Sequence, residues 1–106
     1  MDERANAPHA IGERLRALMV VRALTVEAVA YGTGASKRHV VDWLAGRVTP
    51  RRGQINRLAN QTGVTLAWIY YGDEGGVLPR TASLLRTALE HNREDPASGG
   101  SAGGPE

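Results

Sequence analysis

The chain has 106 residues, a formal net charge of +2, 42% hydrophobic residues and no cysteine. That length supports one domain with little room for a second core, and the missing cysteines exclude a disulfide framework and thiolate metal ligation. His9, His39 and His91 are scattered, and no apolar run approaches the ~20 residues that span a bilayer, so no metal site or membrane segment is expected and the chain reads as cytoplasmic.

Residues 1–8 carry no pattern and are expected to be disordered. Helical periodicity then takes over. Ile11, Leu15, Leu18 and Met19 recur as i, i+4, i+7 and i+8, one apolar stripe, with Glu13, Arg14 and Arg16 on the other face. Thr25 is a good N-cap for a second helix, with Glu27 in its first turn and Val26, Val29 and Ala30 turned inward. "TGAS" breaks the pattern: Gly34 tolerates the left-handed backbone of a tight turn, and Ser36 caps a third helix from Lys37 to about Ala45. The inner stripe of that helix is Val40, Trp43 and Leu44, which leaves Lys37, Arg38, Val41 and Asp42 facing outward.

Gly46 stops the third helix, and Thr49 and Pro50 read as the cap and first-turn proline of a fourth, with Ile55, Leu58 and Ala59 inward. Gly63 ends it. Thr65 caps a short fifth helix, "LAWIYYG", whose Leu66 and Ile69 pack inward and which Gly72 closes. Pro79 introduces a sixth helix, over 78–92, with Leu84, Leu85, Ala88 and Leu89. No stretch alternates as a strand does, so the expected class is all-α. The layout is a compact five-helix body over 9–74, a C-terminal helix, and a disordered tail over 93–106, where "REDPASGGSAGGPE" offers flexible glycines and no large apolar side chain.

Charge is distributed unevenly. Between Ser36 and Arg57, Lys37, Arg38, Arg47, Arg51, Arg52 and Arg57 face a single anion, Asp42. Such a field raises the encounter rate with a polyanion even when the whole chain is near neutral.

The order of features from Thr25 to Gly46 resembles the helix-turn-helix of the phage repressor and Cro-like family, the lambda-repressor-like or XRE type. The resemblance covers about Ile11 to Gly72. Ala30 stands where the motif helices cross, Gly34 in the turn, Val40 and Trp43 in the core of the second motif helix, and Gly46 and Pro50 after it, followed by "LANQTGVTLAWIYYG". It implies a sequence-specific transcriptional regulator, a repressor, bound to double-stranded DNA as a homodimer. The third helix would lie in the major groove, whose width of ~12 Å admits one helix.

In that frame Lys37, Arg38, Val41 and Asp42 are the base-reading set. Arg38 can bind guanine O6 and N7 bidentately, Val41 can meet a thymine methyl, and Asp42 can accept from cytosine N4 or orient Arg38. Ser36, His39, Arg47, Arg51 and Arg52 fall to phosphates. Val26 stands where the family often has a phosphate-contacting glutamine, and Met19 and Leu44 where it often has a buried arginine–glutamate pair. An apolar pair can replace such an ion pair at no cost in stability.

Trp43 and Trp68 fall on apolar stripes and read as core. Tyr70 and Tyr71 occupy both faces of a short helix, so one is expected to be exposed, at a subunit contact or near the DNA backbone. The sixth helix either docks on the body or pairs with a second copy, making Tyr70, Leu84, Leu85 and Leu89 the candidate dimerisation residues. The same leucine face supports another reading, a protein-binding module such as an antitoxin or anti-repressor. No nucleophile, base and orienter occur together, and no glycine loop that cradles phosphate precedes a lysine-bearing helix, so neither an enzyme nor a cofactor is expected.

Overall fold

Pro8, whose fixed backbone angle suits the first helical position, opens α1 (Pro8–Arg22). Five helices follow in the computed structural model, which describes residues 7–94: α2 (Val26–Thr33), α3 (Lys37–Leu44), α4 (Arg52–Thr62), α5 (Leu66–Tyr71) and α6 (Pro79–Glu94). The protein is all-α, with no strand among the described residues. The disorder expected at the two ends lies, for 1–6 and 95–106, outside the described residues. Pro8 is already helical, and α6 continues two residues past the expected end. Among the described residues no helix is long and apolar enough to cross a membrane.

Three helix starts are set by hydroxyl caps. Thr25, Ser36 and Thr65 accept from the backbone N–H of Ala28, His39 and Trp68 at 3.0, 3.1 and 2.9 Å. The end of α3 is a Schellman turn: Gly46, at φ +75°, donates to the Trp43 carbonyl, and Arg47 donates to that of Asp42. The start of α4 differs from the expectation. Its first residue is Arg52 and the capping position is Arg51, which makes no side-chain cap bond, so Thr49 and Pro50 are not its cap and first-turn proline. Pro50 is instead buried in the loop, where its carbonyl accepts from the Tyr70 hydroxyl at 3.1 Å. The anchored proline belongs to the packing of α5, and the helix begins only beyond it.

The centre of the fold is α1, which packs against α3, α5 and α6, while α2 packs against α3 and α4. Ile11, Leu15 and Leu18 meet Val29, Val40, Trp43, Ile55, Leu58, Trp68 and Ile69 in one buried cluster. Met19, Leu44 and Leu66 are half-buried against it.

Side chains from elsewhere in the fold close four helix C-termini. Arg14, Arg16 and Arg22, all on α1, donate to the carbonyls of Ile69 on α5, Leu44 on α3 and Thr62 on α4, each at 2.9 Å. From α4, Gln61 and Arg57 reach Gly32 and Thr33 at the end of α2, at 3.2 and 3.5 Å. A cation at a helix C-terminus satisfies an orphan carbonyl and opposes the negative end of the dipole. Arg14 and Arg16, from the polar face expected on α1, are therefore clamps on the ends of α5 and α3.

Tyr70 makes one such tie sensitive to alkali. Burial raises its phenol pKa above the ordinary 10.0, against the opposing pull of the Arg52 charge. A phenol that holds its proton more tightly when folded contributes stability fully below the unfolded value, and that contribution is lost as pH rises through the folded one. Unfolding free energy should therefore fall as pH climbs above about 10, and Tyr70→Phe should flatten that fall in urea melts taken across the range.

Candidate nucleic-acid interface

The helix-turn-helix places the N-terminal half of α3 on the surface and its other side in the core. Val40 is fully buried and Trp43 is 3% exposed, whereas Ser36, Lys37, Arg38, His39 and Val41 are all exposed. The cap fixes the first turn, because the Ser36 hydroxyl is already engaged by the His39 N–H. Lys37, Arg38 and Val41 thus share one outer surface, as helical spacing requires.

Asp42 behaves differently from its neighbours. Its carboxylate accepts from the Arg47 guanidinium at 2.9 Å, and its side chain is only 21% exposed. The acid that was expected to meet a base or orient Arg38 is tied instead to the arginine just beyond the helix end. That contact joins two residues assigned to separate jobs, base reading and phosphate binding, and directs Arg47 along the end of α3.

Lys37 also has a partner that sequence reasoning missed: the Glu27 carboxylate in the first turn of α2, 3.7 Å away. Both groups are largely exposed, so the pair contributes little to stability. It places an anion at the edge of the basic surface. Arg57, counted with the positive field, is partly withdrawn from it by its bond to the Thr33 carbonyl.

The remaining candidates gather beside the start of α3. A cleft of about 480 Å³ opens between that helix and the α3–α4 loop, and its polar lining includes Ser36, His39, Thr49, Arg51 and Gln54. Gln54 carried no signal in the sequence; half-buried in the first turn of α4, it joins the cleft lining. Arg52 is exposed at that helix start.

The residues expected at a dimer contact do not share a surface. Leu85 is wholly buried in the core and offers nothing to a partner, and Leu89 is half-buried against the same cluster. Tyr70 is half-buried and bonded to Pro50, while Tyr71 is the exposed member of the tyrosine pair. Leu84 alone stands out, at 50% exposed. The sixth helix thus docks on α1 and keeps a free side.

No curated protein and no solved structure matches the chain. A family model described as a helix-turn-helix domain matches residues 10–68, from α1 into α5 and more than half of the sequence, and the chain belongs to that DNA-binding family.

Proposed function

We propose that the protein is a sequence-specific transcriptional regulator of the phage repressor and Cro-like type, a repressor that enters the major groove with α3 and holds its operator as a homodimer. The observation that carries this reading is the two-sided character of α3: Lys37, Arg38 and Val41 exposed on one side, Val40 and Trp43 locked into the core on the other. Base edges are discriminated only by groups held in a rigid frame.

Arg38 takes guanine, Lys37 a neighbouring acceptor and Val41 a thymine methyl. Ser36, His39, Arg47, Arg51 and Arg52 hold phosphates on either side, setting register without reading sequence. Asp42 enters first as the group that aims Arg47; contact with a cytosine amine requires it to release that arginine. The partner-binding alternative, an antitoxin or anti-repressor, retains only Leu84 of its leucine face.

Selection from a random duplex library, followed by anisotropy titrations on the recovered sequence, tests the reading. Arg38→Ala should weaken the selected duplex by about 1–3 kcal/mol, roughly tenfold to a hundredfold, and leave binding to unrelated duplex within a few-fold. Unchanged specific affinity in the Lys37→Ala, Arg38→Ala double variant would sink it.

A further inference from the structure

Behind the DNA-reading surface, α6 lies against the C-terminal end of α1 and leaves an open apolar groove of about 460 Å³. Val20, Val21, Leu84, Ala88 and His91 line it, and no residue of α3 or of the α3–α4 loop takes part. Val20 is 65% exposed and Leu84 50%, an unusual outlay of large aliphatic surface on two adjacent helices.

The exposed side of α6 has a pattern of its own. Arg80, Leu84, Thr87 and His91 recur at i, i+4, i+7 and i+11, the seam spacing of a two-helix coil, and all four are exposed. Leu84 is the large apolar member, and the small Thr87 and Ala88 lie one turn further on. A two-fold axis crossing α6 between Leu85 and Arg86 would set Leu84 of each copy against Thr87 and Ala88 of the other, large against small, twice over.

Charge selects the same arrangement. Arg80 lies at one end of the seam and Glu90 and His91 at the other. An antiparallel pair carries each Arg80 toward Glu90 of the second copy, whereas a parallel pair sets Arg80 against Arg80. The partner that fits this surface in both shape and sign is therefore the surface itself.

We propose that a second copy of this chain occupies the α1–α6 groove through an antiparallel α6 contact centred on Leu84 and Thr87, with Val20 at its flank. This names the surface for the homodimer proposed above, and it rests on the DNA-binding reading only for its consequence on an operator. Two copies joined here keep both α3 helices open, because the groove takes nothing from that side.

The absence of cysteine from the sequence makes the geometry directly testable. At a rise of 1.5 Å per residue, two Thr87 positions lie about 5 Å apart along the axis and two Arg80 positions about 17 Å. In the full chain, Thr87→Cys should form a disulfide-linked dimer under mild oxidant, and Arg80→Cys should not. Sedimentation velocity of the wild type should show a concentration-dependent dimer. Leu84→Glu should raise its dissociation constant at least tenfold without changing the thermal melt at concentrations where the wild type is monomeric, since Leu84 is half exposed in the single chain. Arg80→Glu should weaken the dimer, and adding Glu90→Arg should restore it.

Equal cross-linking of Arg80→Cys and Thr87→Cys would overturn the antiparallel contact. A wild-type chain that stays monomeric to about 100 µM would give the groove to a different protein and overturn the proposal outright. A dimer that Leu84→Glu abolishes, in a protein with no preference among duplexes, would uphold this interface while the DNA-binding reading fails. The reverse, selective binding by a monomer, would do the opposite.

Discussion

Trp43→Ala is expected to cost about 3–5 kcal/mol of folding stability, the range for removing a large aromatic from a packed core. Small domains have only about 5–15 kcal/mol in total, so the variant sits near the edge of unfolding at room temperature. The indole is 3% exposed and lies on the inner side of α3, where it helps join that helix to α1 and α2. Removing it also takes away what fixes the rotation of the outer face, so any remaining folded fraction should lose discrimination among duplexes faster than it loses helix. Urea unfolding followed by circular dichroism gives the first quantity, and anisotropy on the selected duplex the second. Val41→Ala, from the exposed side of the same helix, should stay within about 0.5 kcal/mol. A loss below about 1 kcal/mol at Trp43 would mean that the indole is not a core anchor.

The sequence resolved whatever is written in local chemistry. Thr25, Ser36 and Thr65 located three helix starts to the residue, because a capping hydroxyl acts on an N–H only three positions away. The same logic failed at Thr49 and Pro50. That dipeptide has a cap-like signature, but the Pro50 carbonyl is held by Tyr70, twenty residues later, and nothing near the loop announces the bond. Arg14 and Arg16 escaped for a related reason. A cation on a polar face looks solvated until the fold brings the end of another helix beneath it, as it does for these two, whereas Arg22, at the end of its own helix, is readable as a partner for helix carbonyls and bonds that of Thr62.

The adjacent leucines of α6 set the limit most sharply. Leu84 and Leu85 are equally apolar, and which of them is buried depends on the rotation of α6 about α1, a quantity fixed by packing rather than by periodicity within one short stripe. At the candidate DNA surface, the exposed places of Lys37, Arg38 and Val41 were readable because helical spacing alone turns them out. The Asp42–Arg47 bond was not. It crosses the end of a helix, where the Schellman turn at Gly46 folds Arg47 back beside its partner.

Gly12→Val should also disturb the placement of α3, for a reason opposite to that of the tryptophan deletion. A Cβ at Gly12 would stand 2.6 Å from the Trp43 carbonyl oxygen and 3.0 Å from that of Leu44. Both are backbone atoms, and both are already engaged, the first with Gly46 and the second with Arg16. Neither can swing aside as a side chain would, so the whole C-terminal end of α3 must retreat from α1. Overpacking of this kind typically costs about 1–3 kcal/mol and occasionally more; with two further methyl groups, and only a few tenths of a kcal/mol gained in helix propensity, about 3 kcal/mol is expected. Gly53 supplies the contrast within the same protein. It is also helical, yet a Cβ there meets nothing within 4 Å, and Gly53→Ala should stabilise by about 0.5 kcal/mol. Opposite signs at the two glycines, measured by urea unfolding of otherwise identical chains, would establish that the α1–α3 seam is closed by backbone contact. An unperturbed Gly12→Val would leave α3 seated by its side chains alone, and correspondingly free to shift against α1.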